Sequence, residues 1–176
     1  MRIAVLLLLL CGLCSCSFDQ RPAQIRCEPI THFSCRTDCT QADETFAFAT
    51  ECENGEIRIS VLQPEDLQGV CFISDSQNSI AVDANGLTDV FALASFTEHS
   101  PIRLLMQGIR AFLYTGTETL TACADGTFSA QKQVDGQIAS AVFSENGQLL
   151  RLHFPNAETE FTFVDFQSCK NDNDVL

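Results

Sequence analysis

The chain has 176 residues, 45% of them hydrophobic, which suits one domain with a sizeable core. Ten Lys and Arg stand against 23 Asp and Glu, a formal net charge of −13 at pH 7, which excludes a broad basic surface for nucleic acid or anionic lipid headgroups. Fourteen Phe, one Tyr and no Trp describe an interior that is large, apolar and poor in polar handles.

The chain opens with Arg2 and an apolar run from Ile3 to Leu13, closed by Ser15, Cys16 and Ser17. This is the layout of an export signal, and the run is far shorter than the roughly 20 apolar residues that a helix needs to cross a bilayer. Leu13-Cys14-Ser15-Cys16 resembles the lipobox of bacterial lipoproteins: a leucine three residues before a cysteine, and a small residue directly before it. Cys11 and Cys14 fail the same test, each being preceded by leucine, so Cys16 is the expected site of diacylglycerol attachment and the first residue of the mature chain. The alternative is ordinary secretion, with a cut near Ser15 or Ser17 and no lipid. The expected organisation is a signal peptide over 1–15, anchor and tether over 16–27, one domain over 28–167 and a tail over 168–176.

After the tether, alternation of apolar and polar residues recurs along most of the chain. Phe33, Cys35, Thr37 and Cys39 alternate with His32, Ser34, Arg36 and Asp38, which predicts a strand with two unlike faces. Gln41-Ala42-Asp43 turns into a strand over 44–52, and Asn54-Gly55 is a hairpin signal into Ile57, Ile59 and Val61. Pro64 to Gly69 breaks the pattern; strands over 70–74 and 80–84 follow. The stretch from Leu87 to Phe96 fits helix and strand templates equally and stays unassigned. Ser100 and Pro101 then signal a helix start, and Ile102, Leu105, Met106, Ile109, Phe112 and Leu113 fall on one helical face, away from Arg103, Gln107 and Arg110. Strands are predicted over 119–124, 127–134, 137–144, 148–154 and 159–166, separated by Asp125-Gly126, Asp135-Gly136, Asn146-Gly147 and Pro155-Asn156.

Seven cysteines follow Cys16: Cys27, Cys35, Cys39, Cys52, Cys71, Cys123 and Cys169. An odd number cannot pair fully within one chain. Two readings stay open, thiols used as small buried apolar groups, or one or more disulfides, with Cys27 and Cys169 as a candidate pair. A metal site at His32, Cys35 and Cys39 is disfavoured because His32 points away from Cys35 on a strand, and Cys35 and Cys39 lie on the order of 13 Å apart. His32, His99 and His153 fall on separate elements, and no nucleophile elbow, zinc-protease or phosphate-loop motif accompanies them, so neither an enzyme nor a cofactor is expected. The tail "NDNDVL" lacks the glycine and distal glutamate of a calcium loop.

The elements add up to a mainly β (α+β) fold: a curved antiparallel sheet of nine or ten strands, a half-barrel, wrapped around one central amphipathic helix. Its candidate apolar cavity is lined on the sheet by Phe46, Phe48, Ile57, Ile59, Val61, Leu152, Phe154, Phe161 and Phe163, with Leu150 on the same predicted face. The helix contributes Ile102, Leu105, Met106, Ile109 and Phe112. The lipobox, the helix "SPIRLLMQGIRAFL" and above all the closing "DGQIASAVFSENGQLLRLHFPNAETEFTFVDF" resemble small Gram-positive lipoproteins related to the LolA and LppX/LprG group, over roughly residues 28–167. That resemblance implies a half-barrel that in relatives often holds acyl chains between helix and sheet. The expected function is a lipid-anchored, extracytoplasmic carrier of a lipid or other hydrophobic ligand, whose partners are the membrane and that ligand. The alternative is an envelope interaction or sensor protein with a fully packed half-barrel.

Overall fold

The computed structural model describes residues 29–74, 78–114 and 120–168. The expectations for the signal, Cys16, the tether, Cys27, Cys169 and the tail lie outside the described residues.

The first six strands are β1 (Phe33–Gln41), β2 (Glu44–Glu53), β3 (Glu56–Gln63), β4 (Val70–Ser74), β5 (Ser79–Ala84) and β6 (Leu87–Ala92). Helix α1 (Pro101–Ile109) follows and continues as a wider π turn over Arg110–Tyr114. The chain then returns to strands with β7 (Thr121–Ala122), β8 (Phe128–Val134), β9 (Gln137–Phe143), β10 (Leu149–Phe154) and β11 (Thr159–Ser168). The hairpins form where a residue pair tolerates positive φ: Asn54-Gly55 at 51° and 90°, Asp135-Gly136 at 50° and 80°. Asn85-Gly86, at 56° and 83°, is a third such turn, and it converts part of the unassigned 87–96 stretch into β6.

All strands join one antiparallel sheet in the order β6-β5-β4-β3-β2-β1-β11-β10-β9-β8-β7. Two meanders are therefore sewn together at the centre by β1 and β11, with Thr37 opposite Phe163 and Cys39 opposite Phe161. The sheet has eleven strands among the described residues, against nine or ten expected. The extra strand is β6, hidden in the sequence because both of its faces are exposed and no burial period marks it. Only Thr121–Ala122 of the strand predicted over 119–124 is a described strand.

The sheet must curve strongly. Arg110 on the helical segment donates to Ser74 of β4, at 2.6 Å, while Lys132 of β8 donates to the Ala111 carbonyl. In a flat sheet β4 and β8 would stand about 34 Å apart, whereas a helix with its side chains is about 10–12 Å wide. Wrapping is the geometry that lets one helix touch both, and no residue from Pro101 to Tyr114 is exposed.

Three local details differ from expectation. Ser100 occupies the N-cap position, but its side chain makes no cap bond; its carbonyl accepts from Leu104, at 3.0 Å. The helix is buried beyond its predicted stripe, with Leu104 only 1% exposed. Leu150 is half-buried while Leu149 is fully buried, because a register shift between Leu149 and Arg151 swaps which leucine faces inward.

Candidate functional site

The concave face is where the predicted cavity residues meet. Thirteen of the fourteen are buried, Ile102 being the most accessible of them at 7%, and Phe46 is half-buried and packs on the same cluster. Phe154 and Phe161 meet edge to face at 6.2 Å, and Phe46 stacks on Phe48 at 6.2 Å. These side chains thus occupy the space between helix and sheet with one another. Two surface depressions of about 270 and 390 Å³ lie elsewhere, at the β1–β2–β11 bulge and beside His32 and Glu56, and none of the fourteen lines either.

Coverage by the helix is uneven across the sheet. Toward β8 the contact is close: a Cβ on Gly108 would stand 2.7 Å from Leu152 Cδ1 and 3.3 Å from the Phe154 ring, so the helix backbone lies directly on β10. The facing positions further out are Ala141, Ala139 and Ala130, whose small side chains let the sheet close on the helix. Lys132 finishes this side: its Nζ donates to the Ala111 carbonyl and lies 5.6 Å from the Phe112 ring centroid. Burial holds its ammonium below the usual lysine range.

Toward β6 the coverage thins. One row of opposed residues runs Phe33, Cys52, Ile57, Ser74, Ile80, Phe91; it is buried through Ile80, and Phe91 is 44% exposed. The next row runs Ile59, Phe72, Val82, Asp89, and leaves the buried core two strands earlier, at Phe72. Phe96, just beyond β6, leans edge-on against Phe72 at 6.1 Å and against Phe91 at 6.4 Å. Together with Val70 and Leu87 these residues form a half-open apolar mouth at the rim of the concave face. Sequence reasoning missed it because β6 was unassigned and a rim position has no burial period.

The polar groups around the helix are mostly paired. Arg103 donates to the Phe96 carbonyl at 2.8 Å and pairs with Asp135. A hydrogen bond from Gln107, and then Arg103, hold the Asp135 carboxyl below the usual carboxylate range. Arg110 spans to Ser74 and to Asn78, at 3.0 Å. Thr37 and Thr50, both fully buried, bond to each other at 2.8 Å, which satisfies two hydroxyls inside the apolar face. Cys52 Sγ donates to the Thr31 carbonyl at 3.2 Å and bonds to the Tyr114 hydroxyl, and burial raises both of their pKa values.

Five cysteines, Cys35, Cys39, Cys52, Cys71 and Cys123, are free thiols. Burial pushes Cys35 up to about 11 and Cys39 up to about 12, so neither is a thiolate near neutrality. The histidines lie apart: His32 bonds Asn54 at 3.0 Å at one end of the sheet, His99 sits beside Glu98 ahead of the helix, and His153 is exposed on β10.

No protein-family model and no curated protein sequence matches the chain. Among solved structures, an uncharacterised conserved protein of Thermus thermophilus is similar in fold, with a TM-score of 0.51 at 9% identity, covering 82% of each chain. A LolA superfamily protein of Nitrosomonas europaea superposes at a TM-score of 0.43, with 7% identity over 84% of this chain and 90% of that one. A DUF1329 family protein of Desulfovibrio piger superposes at 0.36, with 12% identity over 85% and 88% of the two chains.

Proposed function

We propose that the protein is an extracytoplasmic lipoprotein, anchored through Cys16, that carries a lipid or another hydrophobic ligand at the mouth between helix and sheet. The observation that carries this reading is the largely apolar rim of Phe72, Val82, Leu87, Phe91 and Phe96, interrupted by Asp89 at its outer edge, which continues the buried core outward to solvent. Each methylene withdrawn from water there contributes about 0.8 kcal/mol, so a partly enclosed acyl chain binds without polar recognition. A ligand entering from the rim would displace Phe96 and advance along the row toward Ile80. The LolA and LppX/LprG-like rhythm of the sequence supports the same reading.

The test is native mass spectrometry of the full chain, with a fluorescent fatty acid as a second probe. Copurified lipid and saturable probe binding, both weakened by Val82→Asp in a protein of unchanged fold, are the expected result. A ligand-free protein that ignores the probe overturns the carrier. The second reading, a packed interaction or sensor protein, is favoured by the burial of thirteen of the fourteen predicted cavity residues. The anchor is tested separately: Cys16→Ser releases the protein from membranes if Cys16 carries the lipid, and persistent attachment overturns that assignment.

A further inference from the structure

The sheet ends in two unlike edges. β7 is two residues long, whereas β6 has six and every one is exposed, Leu87 at 79% and Val90 at 69%. Such an edge presents unpaired backbone groups that bond readily to another strand, and proteins usually guard it with lysine, proline or a bulge. β6 reads LTDVFA and has no lysine, no proline and no shift in its register with β5; its one charge, Asp89, is acidic and would bar an acidic strand while admitting a basic one. Among the described residues no strand lies beyond it.

The ladder fixes which groups face outward. Leu93 donates to the Asn78 carbonyl at 2.8 Å, and the two-residue Asn85-Gly86 turn closes the Ala84–Leu87 pair, so Leu87, Asp89 and Phe91 exchange bonds with β5. The N–H and C=O groups of Thr88 and Val90, and the N–H of Ala92, therefore point to the open side; the Ala92 carbonyl caps the short 3-10 turn over Leu93–Ser95. An incoming strand would find a ready ladder there, with Leu87, Asp89 and Phe91 on one face and Thr88, Val90 and Ala92 on the other.

Charge selects the incoming strand. From Ile59 to Ile102 the sequence holds no Lys or Arg, and Glu65, Asp66, Asp83 and Asp89 lie on or beside the β4–β6 end. Asp83 faces Thr88 across the β5–β6 pair. The cations that reach toward this end, Arg103 and Arg110, are engaged with Asp135, Phe96, Asn78 and Ser74. A second copy of this chain fits poorly: one well-overlapped antiparallel register sets Asp89 against Asp89, the other sets Asp89 against Phe91, and both join two chains of net charge −13.

We propose that β6 is a docking edge for a partner protein, which adds an extended, apolar-alternating segment flanked by lysine or arginine as a twelfth strand. This goes beyond the carrier reading, since it concerns the backbone edge and not the concave face; it also places the partner directly beside the apolar mouth. Main-chain bonds would supply affinity, and the acidic surroundings would supply the choice of partner.

The experiment is fluorescence polarisation of the full chain with a labelled peptide of alternating Val and Thr, flanked by lysines, beside a twin flanked by glutamates. The lysine peptide is expected to bind about tenfold or more tightly than its twin, and to protect the amides of Thr88, Val90 and Ala92 from hydrogen exchange. Val90→Pro removes an outward N–H and spares the bonds to β5, so it should weaken binding about tenfold at an unchanged melting temperature. Asp89→Lys should reverse the preference between the two peptides, a result that simple unfolding cannot produce. Equal binding of both peptides, or no effect of Val90→Pro, overturns the proposal. So does a concentration-dependent dimer that Val90→Pro abolishes, since the edge would then serve a second copy. Loss of fatty-acid binding with peptide binding intact would remove the carrier reading alone.

Discussion

Two rows of side chains leave the centre of the sheet in opposite directions, and they end differently. Cys39, Phe161, Leu152, Ala141 and Ala130 run toward β8 and stay buried to the penultimate strand. Cys52, Ile57, Ser74, Ile80 and Phe91 run toward β6 and emerge into solvent at the last step. Both rows are apolar enough to form a core, so hydrophobicity does not distinguish them. Side-chain size does: Gly108 and the inward alanines draw the helix onto β8–β10, and one helix cannot lie equally close to both ends. The closed end is built for stability, and the open end keeps apolar surface in reserve.

Substitutions can break that contrast. The largest expected effect is Phe154→Ala at the closed end, where a fully buried ring meets Phe161; a loss of about 3–5 kcal/mol should appear in the urea midpoint. A loss small enough to match a surface position would mean that the closed end is not the packed one.

Alkaline pH should probe the centre, where Cys35 and Cys39 separate the two ends. Their folded pKa values, about 11 and about 12, exceed the unfolded value of 9.0, so the unfolded chain loses its protons first. Stability is then fully present below pH 9.0 and falls as pH rises toward the folded values, with each thiol removing up to about 1.4 kcal/mol per pH unit. Urea unfolding between about pH 9.5 and about pH 10.5 should lose roughly 2 kcal/mol from the two thiols together. The Cys35→Ala/Cys39→Ala double variant should reduce that slope by about this amount, leaving what Cys52 and Tyr114, also raised by burial, contribute.

Gly108→Val should cost on the order of 1–3 kcal/mol, because the new methyls must displace Leu152 and the Phe154 ring. The same change sharpens the comparison: pushing the helix off β10 should also alter probe binding at the mouth. Leu87→Ser, at the open end, should shift stability by no more than about 0.5 kcal/mol and should weaken fatty-acid binding. A large stability loss there would show that the rim is core after all.

Much of the fold was legible because turns and strands write themselves locally. Asn54-Gly55 and Asp135-Gly136 announce their hairpins, and Phe33, Cys35, Thr37 and Cys39 all face inward, as their alternation predicts. The central helix also follows from its stripe. What the sequence left open depends on partners distant along the chain. Nothing in TFVDF or FSCRTDC says that the last strand pairs with the first. Phe154 reads as apolar whether it lines a cavity or fills one. Leu87–Ala92 alternates with nothing because an edge strand beyond the helix buries neither face. The mouth and the β6 edge were therefore the parts most hidden, and the proposed carrier role rests on the first while the proposed docking rests on the second.

The seam between β1 and β11 sets the order in which the molecule can be made. Phe33 lies opposite Ser168, so the central pairing joins residues from nearly opposite ends of the described chain, while every other strand pair is a neighbour in sequence. The two meanders can form early and separately, but the seam carries the entropic cost of closing almost the whole chain into a loop, which makes it the natural slow step. For a chain threaded to the outside of a membrane in extended form, as the proposed export requires, the helix stays uncovered on one side until the final strand has emerged. Its apolar stripe is then open to whatever lies nearby, so a chaperone or an early ligand would have its chance during delivery, before the sheet zips shut.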